Sequence, residues 1–236
     1  DVAELVELSR EFPFVEWGIL VGSGEGVERF PSREWIGRLV DAREDAGSTM
    51  PFGSAPAPMK LSLHVCGRHL RAIANGMPEL DALLGLKMFA FDRVQLNWHG
   101  ERQVTGCSEN VLKSFCILDS PSGFGWDPTL IFQVDGVNDS LWEAAGLRFA
   151  CVGLFDRSHG AGVVPGEWPE PDTVMGIGGF GWAGGLGPEN LEAELPRIAE
   201  KAWPAMDWWV DMETRVRSEA RVPGGGGSRR GASETC

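Results

Sequence analysis

GWAGGLGPENLEAEL, residues 181–195, decides how the rest of the chain is read. An apolar run ends in Gly184 and Gly185, and Gly187-Pro188 then opens a helical pattern. Glycine crowded at a strand-to-helix hand-over means a tight turn, or a backbone that something approaches closely. Backbone N–H groups at such a turn and at a helix start suit an anion.

The same hand-over recurs along the chain. Strand-like apolar runs stand at 14–22, 60–67, 91–101, 130–139, 148–156, 173–185 and 206–216. Helical periodicity is read at 2–12 with Asp1 as N-cap, at 32–45 with Ser32 as cap, and at 68–76, 139–146 and 188–203. Pro196 should kink or split the last of these. Residues 102–129 give a weaker pattern, with one possible helix in SENVLKSFCIL.

Strands alternating with helices predict an α/β fold with a parallel sheet, and near-continuous apolar strands predict burial on both faces. The expected architecture is a TIM (β/α)8-type barrel over residues 1–218, lacking its first strand and its last helix. Residues 219–236, with four consecutive glycines and mixed charges, read as a disordered tail.

The net charge of −13 argues against a nucleic-acid surface. No run approaches the roughly 18 apolar residues of a membrane span. Five cysteines without a CxxC pair imply a reducing, cytoplasmic protein with no disulfide framework. The partner expected is a small anionic ligand, sugar-derived or carboxylate, with no nucleic acid and no membrane.

In a barrel, chemistry sits at the C-terminal strand ends. Polar residues recur there: Glu16, His64, Gln95, Asn97, His99, Gln133, Asp135, Asp156, Asp211 and Glu213. Within apolar strands such residues are costly unless paired or used. Arg29 and Arg215 follow strands whose ends face the same side. Asp156 and His64 are the candidate catalytic residues. Arg29, Asn97, His99, Asp135, Asp211 and Arg215 are the candidate substrate contacts. Gly184 and Gly185 are the candidate anion seat.

Five stretches in register resemble phosphoribosylanthranilate isomerase, a (β/α)8-barrel family. They are WGILVGSGEGVERFPSREWI, RVQLNWHGE, LFDRSHGAGVVPGEW, WAGGLGPENLEAEL and WVDMETRVRS. The resemblance implies a cofactor-independent Amadori-type isomerisation by acid/base proton transfer. It assigns the general acid to Asp156 and the hold on a substrate carboxylate to Arg29. It assigns the phosphate seat to Gly184, Gly185 and the stretch around Glu213-Thr214. The family's base cysteine on its first strand has no counterpart, and its Ser-Ser-Gly phosphate loop is replaced by Glu213-Thr214-Arg215. These departures mark a divergent member.

Two other functions fit the same residues. In a metal-dependent epimerase or lyase, His64, His99, Asp135, Asp156 and Asp211 supply the ligands. In a catalytically inactive ligand-binding barrel, Trp98, Trp168 and Trp182 stack on a sugar or an aromatic ring. The leading expectation needs no metal and no cofactor.

Overall fold

The computed structural model describes residues 1–22, 29–48, 59–67, 69–70, 90–97, 129–134, 151–156, 162–171, 178–204 and 206–216. Among them the chain forms α1 (Val2–Glu11), β1 (Glu16–Val21), α2 (Arg33–Ser48), β2 (Lys60–Val65), β3 (Arg93–Leu96), β4 (Thr129–Val134), β5 (Cys151–Phe155), β6 (Phe180–Ala183), α3 (Leu191–Ala199) and β7 (Trp208–Asp211), followed by a 3-10 turn at Thr214–Val216. The expected tail, and the helices expected at 68–76 and 139–146, fall wholly or mostly outside the described residues.

All seven strands pair in parallel, each beside the next in sequence, in one sheet ordered β1 to β7. The sheet curls strongly. Arg93 of β3 lies 4.2 Å over the ring of Trp209 of β7. Four strand spacings on a flat sheet would separate them by roughly 19 Å. Arg29, which follows β1, pairs with Glu213, which follows β7, at 2.5 Å. The first and last strands are therefore brought round toward each other, and the sheet is a curled half-barrel.

The two faces differ in chemistry. The convex side packs Ile19, Val21, Leu61, Leu63, Val65, Val94, Leu96, Leu130 and Phe132 against Ile36, Leu39 and Val40 of α2. Their alternation turns the intervening residues to the concave side. Toward β1–β3 the concave side is polar: Glu16, Ser62, His64, Arg93 and Gln95. Toward β4–β6 it is apolar, with Ile131, Val152, Leu154 and Ala183 packed together and Trp209 against them. The Arg93 guanidinium, 2.7 Å from the Glu16 carboxylate, ties the polar half across two strands.

Local signals explain the helices. The Asp1 carboxylate accepts from Ala3 N–H at the start of α1. Ser32 Oγ accepts from Trp35 N–H at the start of α2. Ser9, fully buried in α1, donates to the Leu5 carbonyl and accepts from Trp17 Nε1 of β1. Pro196 does not split α3: Glu200 N–H still donates to the Pro196 carbonyl, so the helical ladder continues past the ring. Ile198, wholly buried among Phe155, Trp168, Phe180 and Trp182, anchors the turn that the proline weakens. Among the described residues no helix is long and apolar enough to cross a membrane.

Candidate functional site

Strands β5, β6 and β7 end side by side, and a cavity of about 50 Å³ opens at their C-terminal ends. It is lined by Asp156, Gly162, Ala183, Gly184, Gly185, Leu186, Asp211, Glu213, Thr214 and Arg215. The register sets this up. Ala183 pairs with Asp211, so the Gly184-Gly185 turn leaves β6 level with the end of β7. Asp156 is the first residue past β5.

The carboxyls crowd one another. Burial, reinforced by the charges of Glu213 and Asp156, pushes Asp211 up to about 6. Arg93 and the Met212 N–H pull the other way without cancelling the burial. Near neutral pH this carboxyl sits close to its midpoint, which suits it to giving and taking a proton.

Both arginines expected to meet an anion already hold one. Arg29 is 2.5 Å from Glu213. Arg215 pairs with Glu189 at the start of the α3 region and also reaches the Gly162 carbonyl. The Arg215 side chain and the Glu189 backbone together hold the Glu189 carboxyl below its ordinary range. Glu213 thus enters the site as a partner of Arg29, and Glu189 is an additional member. Glu189 reads in sequence as an ordinary first-turn acid; its pairing depends on a residue 26 positions away.

The glycines at 184–187 have individual reasons. Gly184 and Gly185 sit at φ 118° and 63°, in the left-handed range that a side chain strains to adopt. A Cβ on Gly185 would stand 2.5 Å from Val164 N and 2.7 Å from the Gly162 carbonyl oxygen. The loop before β6 therefore rests directly on the turn. A Cβ on Gly187 would stand 2.5 Å from the Arg215 Cβ. The Gly187 N–H donates to Asn190 Oδ1, and Asn190 Nδ2 donates to the Gly185 carbonyl, which fixes the turn shape. The close approach read from the sequence is real, and the body approaching Gly185 is the protein's own backbone.

The β2–β4 side of the concave face carries the remaining candidates. The His64 ring fills the space left by Gly18, where a Cβ would lie 2.6 Å from its Cε1. Burial lowers His64 to about 4, against the pull of Glu16 and Glu213, so it is neutral near pH 7. It is not among the residues lining the cavity. Asn97 accepts from Gln95 Nε2 at 2.6 Å and donates to Cys66 Sγ at 3.2 Å. His99 and Asp135 lie outside the described residues, as does Trp98.

Trp168 and Trp182 do not face a ligand. Both are buried in the convex-side core, with Trp168 Nε1 donating to Glu194 and Trp182 Nε1 to the Pro169 carbonyl. Their size and apolarity won them core positions over a binding rim. Among the described residues no group of three or more His, Cys, Asp or Glu side chains is arranged to hold a metal ion.

The cavity therefore collects Asp156, Gly184, Gly185, Asp211, Glu213, Thr214 and Arg215 in one place, with Arg29 one ion pair away. Comparison of the chain with family models, curated proteins and solved structures finds no match.

Proposed function

We propose that the chain is a divergent (β/α)8-type barrel of the phosphoribosylanthranilate isomerase-like kind. Its reaction is a cofactor-independent isomerisation of a small anionic sugar derivative by proton transfer at the strand-end cavity. The observation that carries the reading is the Asp211 carboxyl. It is raised to about 6 beside Asp156 and Glu213, at the end of a parallel strand and next to a glycine turn. A carboxyl whose proton affinity is lifted toward neutral, set beside further carboxyls, is suited to acid/base chemistry.

In this reading Asp156 donates to the sugar ring oxygen and Asp211 takes the proton from the adjacent carbon. The substrate's anionic group exchanges with Glu189 at Arg215. That exchange costs little, because both partners of the ion pair are exposed and water already screens their attraction. Arg29, held by Glu213, offers the second cationic contact.

The test is hydrogen exchange at carbon. Aldose phosphates and N-aryl glycosylamines are incubated with the protein in D2O near pH 7, and loss of the C2–H signal is followed by proton NMR. Exchange in the wild type should fall about 10²–10⁴-fold in Asp156→Ala. Arg29→Ala should weaken binding of the same compound. No exchange with any compound tried, or exchange untouched by both substitutions, overturns the proposal.

A further inference from the structure

The cavity accounts for the β5–β7 end of the concave face, and on the neighbouring strand β4, outside the cavity's lining, a buried polar group is left without a partner. Gln133 of β4 is only 4 % exposed, and its Oε1 has no hydrogen-bond partner. Its neighbours are accounted for. Phe132 pairs in register with Leu96, so Gln133 stands next to Asn97 on one side, and it pairs with Leu154 on the other. Along this row Gln95 donates to Asn97, and Asn97 donates to Cys66. That chain ends at Cys66, and Gln133 Oε1 takes no part in it.

A buried acceptor left unmade costs about 1–3 kcal/mol, and such groups in native proteins answer to a water or a ligand. Gln133 is well placed for a ligand. Leu154 is its partner on β5, and Asp156 stands two residues further along the same face. One strand spacing across and two residues along amount to a diagonal of about 8 Å, which a five-carbon phosphorylated sugar spans.

We infer that Gln133 Oε1 is the acceptor for a hydroxyl of the ligand whose reacting carbons lie at Asp156 and Asp211. It forms a sugar-hydroxyl subsite on the β4 side of the cavity. The inference rests on the sugar-derived substrate proposed above and adds a specificity contact to it. It favours polyhydroxylated ligands over compact anions, because an amide oxygen accepts and a hydroxyl can donate to it.

Calorimetric titration with D-ribose 5-phosphate and, separately, with inorganic phosphate tests it. Gln133→Met keeps the length and removes the acceptor. It should weaken ribose 5-phosphate binding about tenfold while changing phosphate binding less than twofold. Because it deletes a buried unpaired group, it should melt no lower than the wild type. In the wild type, the Gln133 side-chain amide resonances should shift on adding ribose 5-phosphate. Equal ribose 5-phosphate affinity in Gln133→Met, or no amide shift in a wild type that binds it, means the group meets only an ordered water and overturns the inference alone. A wild type that binds phosphate and ribose 5-phosphate equally well removes the hydroxyl subsite and leaves the anion contacts standing. A wild type that binds neither overturns both this subsite and the proposed function.

Discussion

Asp211→Asn is expected to be more stable than the wild type at pH 7 and to lose proton transfer. Raising the half-buried Asp211 carboxyl from 3.8 to about 6 means that its ionised form costs the fold at most about 3 kcal/mol at neutral pH, reduced by the solvent that reaches it through the cavity. The amide has the same shape and no charge to bury, and it relieves the repulsion from Glu213 and Asp156. Functional sites commonly trade stability in this way.

The sign of the pH dependence follows from the direction of the shift. An acid with a raised folded-state pKa contributes stability below its unfolded value, and that contribution is lost as pH rises through about 6. The gain from Asp211→Asn should therefore be full at pH 7, shrink below pH 6 and vanish near pH 4. His64 acts in the opposite sense. Its lowered value, about 4, contributes stability above pH 6.5 that is lost as pH falls toward 4. In the wild type these two slopes offset each other between pH 4 and 6. Asp211→Asn removes one and exposes the other, so its stability should fall more steeply on acidification than that of the wild type. Urea unfolding at pH 7, 6, 5 and 4 reads both effects. A variant no more stable than the wild type at pH 7 contradicts the burial of a charged Asp211.

Gly185→Ala should be the most damaging of the small substitutions. It forces a side chain into φ 63° and drives a Cβ to 2.5 Å from the backbone of Val164. Left-handed strain and overpacking together should cost about 2–5 kcal/mol. Gly162 provides the control: its φ is 65°, but nothing lies within 4 Å of a Cβ built there. Gly162→Ala should pay the conformational strain alone, about 1–2 kcal/mol. Thermal melting of the two variants compares them directly. Gly185→Ala should also displace Gly162–Val164 from the cavity and weaken ligand binding. Equal melting temperatures would mean that the loop is not seated on the turn.

These two residues also show how far the sequence could be read. The strands were legible because Leu61, Leu63 and Val65, or Val152 and Leu154, sit in apolar-rich runs, the first interrupted only by Ser62 and His64. Strand ends were less legible. Of the run at 91–101, Arg93–Leu96 form the strand among the described residues, and residues 98–101 lie outside them. Of the kink or split that Pro196 suggested, the split is absent: the helix runs from Leu191 to Ala199 through the proline, and Ile198 beyond it is buried.

Strand-end position pointed to Asp156, Asp211 and Glu213, and these line one cavity together with Thr214 and Arg215. The pairings stayed hidden. Arg29 and Glu213 are 184 residues apart in the chain, and nothing local to either announces the other. Gly184 and Gly185 were read as making room for an anion. The space at Gly185 is used by residues 162–164, which come from a segment more than 20 positions earlier in the chain.

Titration of the Asp211 side-chain carboxyl by carbon-detected NMR tests the account most directly. The cavity can move protons near neutral pH only if this group, pressed by burial and by Glu213 and Asp156, holds its proton well above the ordinary aspartate range. A midpoint near 6 is predicted, shifting downward when Glu213→Gln removes one of the neighbouring charges. A midpoint near the ordinary 3.8, or one unmoved by Glu213→Gln, contradicts it.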